Sequence, residues 1–189
     1  MVAAMTVVPY DDEWPRLFEA ERAKLEVALT PWLKEGIHHV GSTAVPGLVA
    51  KPIIDMIAGV RELEEARSAF EPLQALGYRY REHRPEAHLF LMPAQGIHLT
   101  EPGSALWHER LAFRDALRAN PALMAEYAEW KLRHLATTPG AGWYTADKRP
   151  LVARVLAQAG IELKPDSERL TGEALAGRLR RERDGSRSR

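Results

Sequence analysis

Cysteine is absent from all 189 residues, which excludes disulfides, thiolate metal sites and cysteine nucleophiles. Long apolar runs are missing as well: no stretch approaches the ~18 consecutive apolar residues that a membrane-spanning helix needs. The opening residues, MVAAMTVVPYDDEW, carry no basic segment leading into an apolar one, so no secretory signal is expected. Together with the lack of cysteine, this reads as a cytoplasmic protein. Charge of one sign is not in excess either, since Lys+Arg and Asp+Glu each number 26. Broad nucleic-acid binding neutralises phosphates with a surplus of basic residues. Neither nucleic acid nor a membrane is therefore an expected partner.

What remains is an ordinary globular composition, 46% hydrophobic and 28% charged, long enough for one core. Apolar residues at three- and four-residue intervals predict a first helix over 13–34, with Pro15 tolerated in its first turn and Gly36 ending it. Residues 37–40 predict a short strand. The nearly continuous apolar run 52–60 predicts a central strand buried on both faces, broken by Asp55. A second amphipathic helix is predicted over 62–76, kinked near Pro72. Strands are predicted at 78–81, 87–92 and 97–100, the last two joined by a turn at 93–96. Helices are predicted over 104–119, 121–136 and 145–159. Residues 1–164 thus read as one α+β (α/β) domain, a mixed sheet flanked by helices with a helical C-terminal half. The tail 165–189 has few core residues and an Arg-, Ser- and Gly-rich end, so it is expected to be disordered or loosely helical.

Chemistry concentrates in residues 39–55, HVGSTAVPGLVAKPIID. Gly41 permits a close approach to the backbone at the end of a strand. Ser42 and Thr43 offer hydroxyls and, if a helix starts there, free N–H groups aimed at an anion. Asp55, on an apolar strand, must be hydrogen-bonded, metal-bound or at the sheet end, because an unpaired buried charge is very costly. A phosphate cradle facing a divalent-metal ligand is what phosphoryl or nucleotidyl transfer requires, since metal and dipoles neutralise the charge of the transition state.

This segment resembles the GrpB family of the nucleotidyltransferase superfamily. So do VVPYDDEWPRLFEAE at 7–21, HLTEPGSALWHERLAFRDALRANPALMAEYAEWK at 98–131 and YTADK at 144–148. The resemblance implies a nucleotidyltransferase-like fold with an NTP phosphate chain on Gly41, Ser42 and Thr43, and with Mg²⁺ on Asp55. Related domains occur fused to dephospho-CoA kinase, which implies a link to coenzyme A metabolism by analogy. Active nucleotidyltransferases carry a second carboxylate two positions after the first, on the same strand face. Here that position is Ile57. Glu101 is then the candidate second catalytic carboxylate, at the end of the strand bearing His98.

Other candidates come with competing readings. Lys51 either reaches a phosphate from the strand entrance or is a solvated lysine. His38 and His39 point to opposite faces of a strand, so they do not chelate one metal together. His98 is a candidate pocket wall. Arg110, Arg114 and Arg118 share one helix face, usually a solvated or salt-bridged stripe, although Arg114 falls in a family-like stretch and is a candidate phosphate contact. Lys148 follows a Gly-rich loop and either closes over a phosphate or belongs to a plain helix N-terminus. Two functions are consistent with this set. One is a Mg²⁺-dependent transfer of a nucleotidyl group from an NTP to an acceptor. The other is a non-catalytic module binding a nucleotide or another phosphorylated metabolite.

Overall fold

The computed structural model describes residues 7–135, 149–158 and 160–162. Lys148 and the tail from 165 lie outside the described residues. The chain runs through α1 (Trp14–Leu29), β1 (Leu33–Val40), a single 3₁₀ turn (Ser42–Ala44), β2 (Ile54–Val60) and a 3₁₀ stretch (Glu65–Ala69) that continues into α2 (Phe70–Ala75). There follow β3 (Arg79–Arg81), β4 (Ala87–Leu91), β5 (Gln95–Thr100), α3 (Ala105–Ala119), α4 (Pro121–Leu135) and a last helix, α5 (Arg149–Gln158).

Helix α1 ends at Leu29, short of the predicted residue 34. Thr30, before Pro31, keeps helical dihedrals, but Pro31 has no N–H to continue the helical hydrogen-bond ladder and closes the helix earlier than Gly36 does. Gly36 instead lies inside β1, between two register shifts that separate Leu33, Glu35 and Ile37. The buried face of α1 carries Trp14, Phe18, Glu21, Leu25 and Leu29. Each of the large apolar side chains there contributes about 1.5–3 kcal/mol by leaving water. Glu21 is buried among them because its carboxylate accepts hydrogen bonds from Tyr78 Oη at 2.9 Å and Lys24 Nζ at 2.8 Å. The helix predicted over 62–76 divides before Pro72, into a 3₁₀ part and an α part that starts at Phe70. Pro72 thereby falls in the first turn of α2, where its missing N–H costs nothing.

The five strands form one sheet in the order β1-β2-β5-β4-β3. β2 and β5 are parallel, whereas the β1–β2, β3–β4 and β4–β5 pairs are antiparallel. The central position of β2 explains its apolar run. Its Ile54, Met56, Ala58 and Val60 pack with Leu25, Leu29, Leu73, Ile97 and Leu99 on one side. Ile57 packs with Val40, Ala87, Leu106 and Trp107 on the other. In register, Val40, Asp55 and Gly96 stand abreast across three strands, and His38, Ile57 and His98 form the next row.

The helical half forms its own core of Leu117, Leu123, Tyr127, Leu151 and Val155. Val45 and Leu48, from the connection between β1 and β2, are fully buried in that same core. The loop bearing the Gly-Ser turn is therefore clamped between the sheet and α3–α5. Among the described residues, no helix is long and apolar enough to cross a membrane.

Candidate functional site

Gly41 has φ +73°, a left-handed conformation that L residues rarely adopt. A Cβ placed there would meet Asp55 Oδ2 at 2.7 Å, and one on Gly96 would meet Asp55 Oδ1 at 3.3 Å. The carboxylate of Asp55 thus rests in a slot between two glycines on the neighbouring strands. Within the protein, the group that closely approaches Gly41 is the Asp55 carboxylate. Gly96, which the sequence suggested belongs to a turn, lies within β5, because the reversal closes earlier, through the Met92 N–H to Gln95 O bond of 2.8 Å.

After Gly41 the chain makes one 3₁₀ turn rather than a helix, so no helix dipole is built up behind Ser42 and Thr43. The hydroxyl of Thr43 is engaged internally: it donates to Ile53 O at 3.0 Å and lies 3.0 Å from His39 Nε2. Because the Thr43 proton goes to Ile53, it is His39 Nε2–H that donates to Thr43. His39 stacks on Phe18 with ring centroids 4.8 Å apart. Desolvation, reinforced by the charges of Arg118 and Arg114, pushes its pKa down to about 4. The neighbouring His38 meets the edge of Trp107 on the opposite sheet face.

The sign of the resulting pH dependence follows. A histidine that is neutral when folded, but titrates near its ordinary value when unfolded, lets the unfolded chain bind more protons as pH falls. Stability from this group is complete above about pH 6.5 and is lost on the way down to about pH 4. Between pH 7 and pH 5 the loss is about 2 kcal/mol. Urea denaturation of the parent chain and of His39→Gln at both values should show the smaller drop in the variant.

Ser42 lies where the sheet end meets α4. Its Oγ accepts from Lys131 Nζ at 2.5 Å, and Lys131 also donates to Val49 O at 2.8 Å. The ammonium sits 4.7 Å from the ring centre of Tyr127, one helical turn earlier, and Tyr127 is itself hydrogen-bonded to Ser42. Both side chains are 2% exposed. Burial raises the Tyr127 pKa to about 12, so the phenol keeps its proton. Ser42, Thr43, Lys51, Ile53, Asp55, Tyr127 and Lys131 together line a pocket of about 120 Å³.

The arginine stripe of α3 is not a solvated face. Arg114 Nη1 donates to His39 O at 3.0 Å, while Nε and Nη2 hold Asp115 at 2.7 and 3.1 Å. Arg118 Nε donates to Ala44 O at 2.8 Å. These two arms tie α3 to both sides of the Gly-Ser turn, so Arg114 positions the cradle rather than lining the pocket. Arg110, one turn before Arg114, is half-buried, and its charge is felt by both Asp55 and His98.

Two further candidates fall elsewhere. Glu101 follows β5 at the end opposite Gly96, and its Oε1 accepts from the Leu63 N–H at 2.9 Å. At about 3.3 Å per residue it lies roughly 16 Å along the strand from Asp55's neighbour, so it cannot serve as a second carboxylate for Asp55. A strand carries a side chain away as fast as it brings one in. His98 is deeper in the sheet beside Ile57, 7% exposed, and its Nδ1 has no hydrogen-bond partner among the described residues. Desolvation first, then Arg110 and the nearby His83, hold its pKa well below the ordinary value. It stands behind Asp55 and does not line the pocket.

Mg²⁺ requires near-octahedral oxygen ligands at about 2.0–2.1 Å. Asp55 is the one carboxylate among the residues lining the pocket. Ile57 and Gly96 occupy the positions beside it from which a partner carboxylate would project. No group of three or more His, Cys, Asp or Glu that could hold a metal occurs among the described residues. Among the described residues, Asp55 and its strand neighbours alone do not supply the several oxygens of a Mg²⁺ site.

A five-stranded mixed sheet flanked by helices, with a Gly-Ser turn set against a strand carboxylate at the sheet end, makes this an α+β domain. Residues 4–158 match the model of the family described as GrpB protein. This chain belongs to the GrpB family. It is 34% identical over 159 residues to a UPF0157 protein of Deinococcus radiodurans, covering 81% of each chain. The crystal structure of the conserved protein GrpB from Enterococcus faecalis superimposes with a TM-score of 0.73 at 26% identity, over 82% of this chain and 99% of that one. A 114-residue stretch is 32% identical to the dephospho-CoA kinase of Mycobacterium bovis, covering 58% of this chain and 28% of the kinase.

Lys131 and Tyr127 are the site residues that sequence reasoning missed. Their four-residue spacing and their place at the end of a family-like stretch were the available signals.

Proposed function

We propose that this chain binds a phosphorylated small molecule, a nucleotide or another phosphometabolite, and places a phosphoryl group against Ser42, Lys51 and Lys131. One observation carries the reading: a 2% exposed lysine from α4 reaches across to the serine of the Gly-Ser turn in a pocket that Lys51 also lines. A buried ammonium is costly unless an anion or well-placed acceptors compensate it. A pocket of about 120 Å³ falls below the ~300–1,000 Å³ that holds a whole drug-sized ligand. It suits a phosphoryl head with the remainder of the molecule outside. The kinship with part of a dephospho-CoA kinase makes coenzyme A precursors one class to test.

A second reading, Mg²⁺-dependent nucleotidyl transfer from an NTP to an acceptor, is favoured by the presence of Asp55 in the lining of the same pocket. It requires further oxygen ligands beyond those beside Asp55. Release of pyrophosphate from NTPs in the presence of Mg²⁺ would establish it.

The binding reading is tested by thermal shift and calorimetry with inorganic phosphate, ATP and dephospho-coenzyme A, because a ligand of the native state raises the melting temperature by mass action. Lys131→Met should weaken whichever probe binds by at least about tenfold, the loss of a charge-assisted hydrogen bond of ~1.5–3 kcal/mol. Ser42→Ala should cost less, about 0.5–1.5 kcal/mol. An unchanged affinity in a folded Lys131→Met chain would remove the pocket from consideration.

A further inference from the structure

We propose that Ser42 is a nucleophile: its hydroxyl attacks the phosphorus of a phosphate monoester while Lys131 takes the proton, and the ester is hydrolysed through a phosphoserine. This rests on the phosphate-binding reading above and adds a reaction at the same site.

The two hydroxyls of the turn are used differently. Thr43 is 1% exposed, and its proton is committed to the carbonyl of Ile53 at 3.0 Å. A hydroxyl fixed in that way ties the loop to the entrance of β2. Ser42 is half-buried and lines the pocket. Among the described residues, no backbone carbonyl takes its proton. The partners of its side chain are the amine of Lys131, 2.5 Å from Oγ, and the phenol of Tyr127.

An activated serine is marked by a base within hydrogen-bond reach that is itself oriented by a third group. Lys131 meets both conditions. Its Nζ touches Oγ, and it is oriented by a second hydrogen bond, to Val49 O at 2.8 Å, and by the ring of Tyr127, whose centre is 4.7 Å away. Ser42 and Val49 belong to the same connection between β1 and β2, so one lysine of α4 is held by both ends of that loop. Lys131 is 2% exposed, and buried lysines are the ones that serve as general bases, because burial disfavours the ammonium over the amine.

The backbone presents the serine at a corner. β1 ends at Val40, Gly41 turns at φ +73°, and a single 3₁₀ turn follows, with the Val45 N–H donating to Ser42 O at 3.2 Å. Arg114 and Arg118 hold the carbonyls of His39 and Ala44 on either side. A nucleophile positioned by the fold carries little orientational cost when the substrate arrives.

The reaction consumes one water. Oγ bonds to phosphorus as the bond from phosphorus to the ester oxygen breaks. The hydroxyl proton passes to Lys131, and the departing oxygen takes a proton from solvent and leaves as an alcohol. Water then attacks the phosphoserine: its oxygen bonds to phosphorus, the serine oxygen leaves, and Lys131 returns the proton to it. The attacking water releases one proton to solvent, which offsets the one drawn in the first half, and inorganic phosphate departs. A pocket of about 120 Å³ holds the reacting head and leaves the alcohol part outside.

The test is to mix the full chain with 4-nitrophenyl phosphate, stop the reaction with acid at short times and locate the phosphoryl group by peptide mass spectrometry, since a phosphoserine ester survives acid. The expected result is phosphoserine at position 42 with release of 4-nitrophenol, both absent from Ser42→Ala. Lys131→Arg keeps a positive charge but removes the base. In that variant, once shown to be folded, release should slow at least about 100-fold, the smaller end of what a general base contributes, while inorganic phosphate still raises the melting temperature. The same melting shifts separate two kinds of failure. Inorganic phosphate that stabilises the parent chain, together with no phosphoryl group on Ser42, overturns the nucleophile and leaves the pocket standing. No stabilisation and no transfer overturns the pocket reading, and the proposal with it. A phosphoryl group on another residue, release that persists in Ser42→Ala, or a parental rate in Lys131→Arg would likewise overturn the proposal.

Discussion

Gly41→Val is expected to destabilise the protein by about 3–5 kcal/mol and to abolish any ligand binding at the sheet end. Two costs combine. The residue sits at φ +73°, where a non-glycine residue costs about 1–2 kcal/mol and a β-branched one more. The new Cβ would also fall 2.7 Å from Asp55 Oδ2 and 3.0 Å from Asp55 Cβ, an overpacking that costs about 1–3 kcal/mol when it cannot relax. Relaxation is obstructed because Asp55 is backed on its other side by Gly96, and Ser42 is fixed by Lys131. Urea denaturation of the single mutants Gly41→Ala and Asp55→Ala and of the double mutant separates the two costs. Removing the Asp55 carboxylate relieves the clash but not the backbone strain, so the double mutant should be more stable than the sum of the singles predicts. Simple additivity would show that the glycine is required for its dihedral angle alone.

Much of this architecture could be read in the chain. The period of the apolar residues located α1, β2, β4, α3 and α4, because those elements bury one stripe or both faces and the hydrophobic effect writes that geometry into spacing. The pairing of Gly41–Ser42 with Asp55 was legible because a short connection between adjacent strands brings its two ends together. The residues that complete the pocket come from far away. Lys131 is 89 positions from Ser42, and on its own helix a lysine beside aromatic residues looks like any amphipathic side chain lying along an apolar face. The arginines of α3 illustrate the same limit: four-residue spacing fixes that they share a face, not what the face meets. Glu101 failed for a metric reason. Proximity to His98 in sequence suggested proximity to Asp55, but His98 itself is already two residues past Asp55's neighbour, and Glu101 lies five past it. Gly96 was assigned to a turn because glycine marks turns and close approaches alike, and local sequence does not distinguish them.

Between the β3–β4 segment and α3 lies a buried ion pair whose disruption should have a comparably large effect. Arg84, from the segment between β3 and β4, is 8% exposed, and its Nη2 meets Glu109 Oε2 of α3 at 2.8 Å. Glu109 is 6% exposed and also acts on Arg110, whose charged form it favours, whereas Arg84 disfavours it. Glu109 therefore acts on two guanidiniums, with Glu86 also 3.4 Å from Arg84 and the neutral His98 nearby. Glu109→Gln keeps the shape but leaves the buried Arg84 with its longer, 3.4 Å contact to Glu86 in place of the 2.8 Å pair. Breaking such a pair from one side costs about 3–5 kcal/mol, although a well-packed apolar replacement of both partners is often neutral or stabilising. For a domain of this size that corresponds to a fall in melting temperature of roughly 6–20 °C. The double variant Arg84→Met/Glu109→Met should recover most of the loss, since it removes both charges together. Equal instability of single and double variants would show that packing, not charge, holds α3 against this end of the sheet.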